Sequence, residues 1–242
     1  MIVAIQQPEH LPWIGFFNKM AQSDLFVYLD NVQLKKRYFE NRNRIKTYDG
    51  IKWLTVPVNS KGKYSQKIKD VSIDSGTSWE RKYKGRLELA YRKSRFWDDI
   101  KSIVFPCLEQ EYNKLIDLNL SLIDKCREYL KIETTTALAS SLEVDRFTGS
   151  DIIFQICIKT DGTTYISGPD GRNYLKHEDF NEEGVKVKYH DFKHPVYNQL
   201  FGDFLSNMSI IDLIANMGPK SSHIVRECYK AGPGGVMSDS SN

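Results

Sequence analysis

The spacing of apolar positions changes several times along the chain, and each change marks an element. Ile2–Ile5 is a short β-branched run and predicts a strand. Pro12 suits the first turn of a helix, and Ile14–Ala21 has the length for one. "DLFVYLD", residues 24–30, is an apolar run bounded by carboxylates, as in a strand buried in a parallel sheet. A crossover of this length between two strongly apolar strands predicts an α/β layer structure.

Residues 31–75 change character and become basic and aromatic. "IKWLTVPV" (51–58) and "IKDVSI" (68–73) alternate as strands do, with the polar loop "NSKGKYSQK" between them, and predict an antiparallel hairpin insertion. From residue 77 to about 131 the apolar spacing turns helical, at i, i+3, i+4 and i+7. Alternation then resumes. "TTTALASSLEV" carries a strand, "GSDIIFQICIKT" a helix, and "TTYISG" and "GVKVKYH" two further strands. "SIIDLIANMG" reads as a helix with a Ser209 cap and Gly218 at its close. The expected organisation is one α/β domain over residues 1–230, built on a mainly parallel Rossmann-like sheet. It contains a basic hairpin insertion at 31–75 and a helical segment at 77–131, and the Gly- and Ser-rich residues 231–242 are expected to be disordered.

Composition adds bounds. The 242 residues suffice for a large core, and 40% hydrophobic with 27% charged is ordinary for a globular chain. No apolar run reaches the roughly 18 residues of a membrane span, and no basic, then long apolar, leader opens the sequence. The expectation is a soluble, cytoplasmic protein. Cys107, Cys126, Cys157 and Cys228 form no CxxC pair, which predicts buried free thiols and no metal centre. Charge is unevenly spread. Residues 1–100 hold 19 Lys and Arg against 11 Asp and Glu, a balance of +8, so a net +3 leaves −5 for the remainder. A positive half suits phosphate-bearing ligands; nucleic acid ranks lower, because the basic stretch is short.

Candidate chemistry concentrates at strand ends. The turn after the first strand, "QQPEHLPW", lies at the carboxyl edge of the sheet, where open α/β folds bind ligands. Gln7, His10 and Trp13 belong to it, and the following helix start favours an anion. Asp30 ends the second strand at the same edge, with Gln33 and Lys35 just beyond. In an extended "NRNRIKT", Arg42 and Arg44 share a face, and two guanidiniums with Lys46 nearby suit a diphosphate. Ser167 follows a later strand, and His194, Tyr197 and Gln199 sit in the loop-like "HPVYNQ". His10 and Asp30 are the catalytic candidates, the others substrate-binding. There is no GxSxG elbow, P-loop or GxGxxG.

"QPEHLPW" echoes the "xPxHxGH" loop of nucleotidylyltransferases and pantothenate synthetase, with Pro12 for the glycine and Trp13 for the second histidine. "QQPEHLPWIGFFNKM", "DLFVYLDNVQ", "NRNRIKT", "WLTVPV", "YISG", "HPVYNQ" and "SIIDLIANMG", in that order, resemble the WbqC-like family over nearly the whole chain. The resemblance implies a place in bacterial O-antigen and other surface-polysaccharide synthesis, with glycine transfer to an amino sugar as the suggested activity. It implies nothing for His10, where the family often has an aromatic residue. Two functions remain open. One is an amide-forming enzyme acting on a nucleotide- or lipid-linked amino sugar with a diphosphate handle, using ATP and Mg²⁺ to activate the acyl group or taking it from aminoacyl-tRNA. The other is a sugar-nucleotide-binding or scaffold protein without chemistry of its own.

Overall fold

The computed structural model describes residues 1–76 and 78–227; the tail expected to be disordered and Cys228 lie outside them. Five strands form one sheet: β1 (Ile2–Gln6), β2 (Leu25–Tyr28), β5 (Thr135–Leu138), β6 (Thr164–Ser167) and β7 (Lys186–Tyr189). Their order is β5-β2-β1-β6-β7, and every pairing is parallel. The fold is therefore mixed α/β with a mainly parallel, Rossmann-like sheet.

Strand periodicity sorts the two faces. Ala4, Phe26 and Ile166 point into the larger core, with helix α1 (Ile14–Ala21) and a helical layer of α2 (Trp79–Tyr91), α3 (Trp97–Leu108), α4 (Leu115–Tyr129), α7 (Ile210–Met217) and α8 (Lys220–Glu227). Val3, Val27 and Tyr165, one position away in each strand, point into the second core under α5 (Gly149–Lys159) and α6 (His177–Glu182). The chain winds outward from β1 to β2 and β5, then returns to lay β6 and β7 on the other side. The switch of direction lies between β1 and β6, where a crevice must open at the carboxyl edge.

The antiparallel hairpin is present but pairs differently from the expectation. β3 (Arg42–Thr47) pairs with β4 (Gly50–Thr55) across the tight turn at Tyr48 and Asp49, with Gly50 at φ +87°. Residues 68–70 instead form a 3₁₀ turn, and only an isolated Val58–Ile73 bridge joins the two segments expected to pair. The polar residues of β3 hid its role: Asn43 is buried on one face beside Ile45 and Lys46 on the other, so neither face reads as an apolar alternation. Ser209 stands at the start of α7 without capping it, because its hydroxyl donates to the Leu11 carbonyl at 2.8 Å. Cys107, Cys126 and Cys157 are buried free thiols. Among the described residues no helix is long and apolar enough to cross a membrane.

Candidate functional site

A cavity of about 770 Å³ opens at the carboxyl edge of the sheet, at the switch of winding direction. The end of β1 supplies Gln6 and the segment after it Gln7 and Glu9, the segment after β2 Gln33 and Lys35, the segment after β6 Gly168 and Asp170, and the residue after β7 His190. Arg44 from β3, Tyr38, Phe39 and Trp13 complete the wall. A smaller recess of about 310 Å³ beside Tyr28, Asp124 and Thr136 holds none of the candidate residues.

The turn after β1 is rigid because buried side chains pin its backbone. Asn43 Nδ2 donates to the His10 and Leu11 carbonyls at 3.1 and 2.9 Å, and Asn119 Nδ2 to those of Pro8 and Glu40 at 3.2 and 2.7 Å. The Ile210 N–H reaches the Pro12 carbonyl at 2.8 Å. These bonds hold Leu11 at φ 40°, a conformation that a leucine adopts only when its surroundings enforce it.

His10 is part of that scaffold and not of the cavity. It is fully buried, with Nδ1 2.9 Å from Asn119 Oδ1 and Nε2 2.6 Å from the Tyr83 hydroxyl. Since Asn119 Oδ1 can only accept, Nδ1 carries the proton and Tyr83 donates to Nε2. Burial lowers its pKa to about 4, so the ring is neutral. Asp30 is likewise buried and structural: its two oxygens accept from the Ser140 N–H at 2.9 Å and hydroxyl at 2.6 Å, fixing the turn after β5. The adjacency of β1 and β2 holds, yet the expected catalytic pair does not meet in the cavity.

The titratable groups that do line the cavity are Glu9, Lys19, Asp170 and His190, with Lys35, Arg44 and the phenols of Tyr38, Tyr165 and Tyr174. Glu9 is half-buried; Oε1 accepts from Gln6 Nε2 at 3.0 Å and Oε2 has no partner. Burial raises its pKa to about 7, the Glu40 charge adds to the rise, and Gln6 and Lys19 oppose it. Lys19 is 4% exposed, donates to the Ile5 carbonyl at 3.0 Å, and is lowered by burial to about 8, with Glu9 opposing. His190 Nε2 lies 2.6 Å from Asn18 Oδ1, and burial, reinforced by the Lys19 charge, lowers it to about 4. A carboxylate on a cavity wall whose pKa lies near neutrality, with one buried oxygen left without a partner, can serve as a general base once a substrate amine reaches it.

The other candidates divide. Gln7, Trp13, Gln33, Lys35 and Arg44 line the cavity. Gln33 donates to the Tyr64 carbonyl at 2.5 Å, and Lys35 lies 5.0 Å from the Tyr38 ring centre. Trp13 packs edge-on to Phe192 at 4.9 Å and lies directly over Gly15, where a side chain would collide with the indole; it covers the helix start expected to receive an anion. Arg42 stacks 4.0 Å over the Trp53 ring, outside the cavity wall. Ser167 is buried and donates to the Gly168 carbonyl. His194 accepts from the Asn207 N–H at 3.0 Å and stacks on Tyr197. Lys46, Tyr197 and Gln199 belong to a buried network around Asp212. Asp212 accepts from Tyr91 at 3.0 Å, Tyr197 at 2.8 Å and Gln199 at 2.7 Å, while Lys46 donates to Gln199 Oε1 at 3.2 Å.

Sequence reasoning passes over Glu9 and Lys19, and considers His190 only as a metal ligand, too loosely placed for one. Signals existed for the first two. Glu9 is two positions from Gln7 and so shares its side of an extended segment, and Lys19 is a charge in the otherwise apolar helix "IGFFNKMA". Among the described residues no group of three or more His, Cys, Asp or Glu is placed to hold a metal ion.

The model of the WbqC-like protein family matches residues 7–224. The uncharacterized protein Rv1507c of Mycobacterium tuberculosis is 36% identical over 229 residues, covering 93% of this chain and 98% of that protein. No solved structure matches the chain.

Proposed function

The chain belongs to the WbqC-like protein family, and we propose that it transfers glycine or another small amino-acid or acyl group to the amine of a nucleotide- or lipid-linked amino sugar, as a cytoplasmic enzyme of bacterial surface-polysaccharide (O-antigen) synthesis. The observation that carries the reading is Glu9, a carboxylate in the cavity with one unpartnered oxygen and a pKa near 7. An amino sugar arrives as an ammonium. Ionised Glu9 takes its proton, the free amine attacks the acyl carbonyl, that proton passes to the leaving group as the tetrahedral intermediate collapses, and the second proton lost by the nitrogen passes through Glu9 to solvent. Arg44 and Lys35 supply the positive charge that a diphosphate handle requires. The mixture of apolar wall and few charged groups is the usual make-up of a small-molecule site.

The test incubates the protein with a panel of nucleotide-linked amino sugars and glycine, with ATP and Mg²⁺ in one arm and aminoacyl-tRNA in the other, and reads products by mass. Pyrophosphate exchange in the ATP arm identifies adenylate formation. Glu9→Gln is expected to lower kcat by about 10²- to 10⁴-fold and to abolish the acid limb of the pH–rate profile near 7. Sugar binding without product in either arm would instead mark a binding protein of the same pathway.

A further inference from the structure

Between residues 35 and 44 the chain carries five cations, Lys35, Lys36, Arg37, Arg42 and Arg44, against one carboxylate, Glu40, which is buried. None of the five forms an ion pair with a carboxylate among the described residues. Folding interleaves them with aromatic rings. The Arg42 guanidinium lies 4.0 Å over Trp53, which is exposed on β4. Phe39 follows at 5.8 Å from Trp53, with Arg44 5.8 Å over it. Tyr38, 42% exposed, is 5.0 Å from Phe39, and Lys35 is 5.0 Å over Tyr38. The ladder thus runs from an exposed sheet face to the cavity wall, which Arg44, Phe39, Tyr38 and Lys35 form.

We infer that this ladder is a track for single-stranded RNA whose terminal nucleotide reaches the cavity, so that the acyl donor is an aminoacyl ester on an RNA end. Rings interleaved with cations suit stacked bases joined by phosphates. The length of the track argues for a polyanion. A diphosphate handle would be met by Arg44 and Lys35 inside the cavity, leaving Lys36, Arg37 and Arg42 outside it without counter-charge. The inference rests on the transfer reading for its chemistry. In that step the amine forms the new C–N bond, the ester C–O bond breaks, the ribose hydroxyl leaves with the proton first taken by Glu9, and the second proton lost by the nitrogen passes through Glu9 to solvent; no ATP is consumed.

The test is fluorescence anisotropy with a labelled single-stranded RNA of roughly 12 nucleotides, over a salt series, with ADP and UDP as competitors. The affinity is expected to fall with salt along a slope set by the phosphates contacted. Lys36→Ala/Arg37→Ala, on exposed side chains, should weaken binding about tenfold or more and flatten that slope by about one contact per charge removed. Trp53→Leu should weaken it about tenfold while Trp53→Phe, which keeps a ring, restores most of the loss. Three results would overturn the inference: no RNA binding at low salt, binding that these variants leave unchanged, or equal affinity for ADP or UDP and the RNA, which assigns the ladder to a single nucleotide. Anisotropy uses uncharged RNA with no amino sugar present, so it reads the track alone, and failure of the transfer chemistry and failure of the track read out separately.

Discussion

At the scale of single residues, adjacent Glu9 and His10 part company. His10 looked the more chemical of the two, being a histidine at a strand end. Yet the turn rotates its ring into the core, between Asn119 and Tyr83, and leaves the carboxylate of Glu9 to the cavity. Position along the chain indicated the sheet edge; which side chain faces the cavity depends on the kink at Leu11, which no local pattern announces. His10→Ala should therefore act through stability. It leaves Asn119 and Tyr83 buried without their partner and removes a packed ring, at about 2–4 kcal/mol. Urea denaturation should register that loss, while specific activity per folded molecule changes little. A large fall in kcat at unchanged stability would return His10 to the catalytic role.

At the scale of elements, polar clusters read alike whether they serve a ligand or the fold. "HPVYNQ" and Lys46 have the composition of a binding loop, but their partner is internal: Asp212 on α7, with Tyr91 from α2. The network ties the segment 191–208, which has no regular structure and leads to the bridge between Ser209 and Trp13, across β3 and α7. His190 and Asn207, at either end of that segment, line the cavity. Asp212→Ala would strip the acceptor from two hydroxyls and an amide, costing about 2–4 kcal/mol. The strap should then open before the sheet does, seen as faster amide exchange over residues 197–207 with β1 and β2 still protected. Uniform loss of protection would show that the strap and sheet unfold together. The hairpin teaches the same lesson: "NRNRIKT" reads as extended, but its pairing with β4 does not show, because the buried Asn43 and Lys46, on opposite faces, are satisfied by partners distant in sequence.

At the scale of the whole molecule, the α/β class and most strands were legible, because a parallel sheet buried on both faces demands continuous apolar runs. The family was legible from seven ordered segments together, though none identifies it alone. Charge balance inside the fold was not legible, since it depends on burial, and here it pulls stability in two directions. His10 and His190 have pKa values lowered to about 4, so unfolded chains bind protons that the folded protein refuses, and stability falls as pH drops from 6.5 towards 4. Glu9 works oppositely. Its folded pKa of about 7 lies above the usual 4.5, so its contribution is favourable below pH 4.5 and is lost as pH rises towards 7. Keeping an ionisable carboxylate half-buried beside a cavity thus costs stability at the pH where it works as a base. Glu9→Gln removes that cost: it should raise stability by about 1–3 kcal/mol at pH 7.5 and change it little at pH 4.5, even as turnover collapses. Melting curves of both proteins across that range decide the point. A variant less stable than the parent at pH 7.5 would mean that Glu9 is held by its neighbours as a structural anion, and the base would have to be sought elsewhere in the cavity.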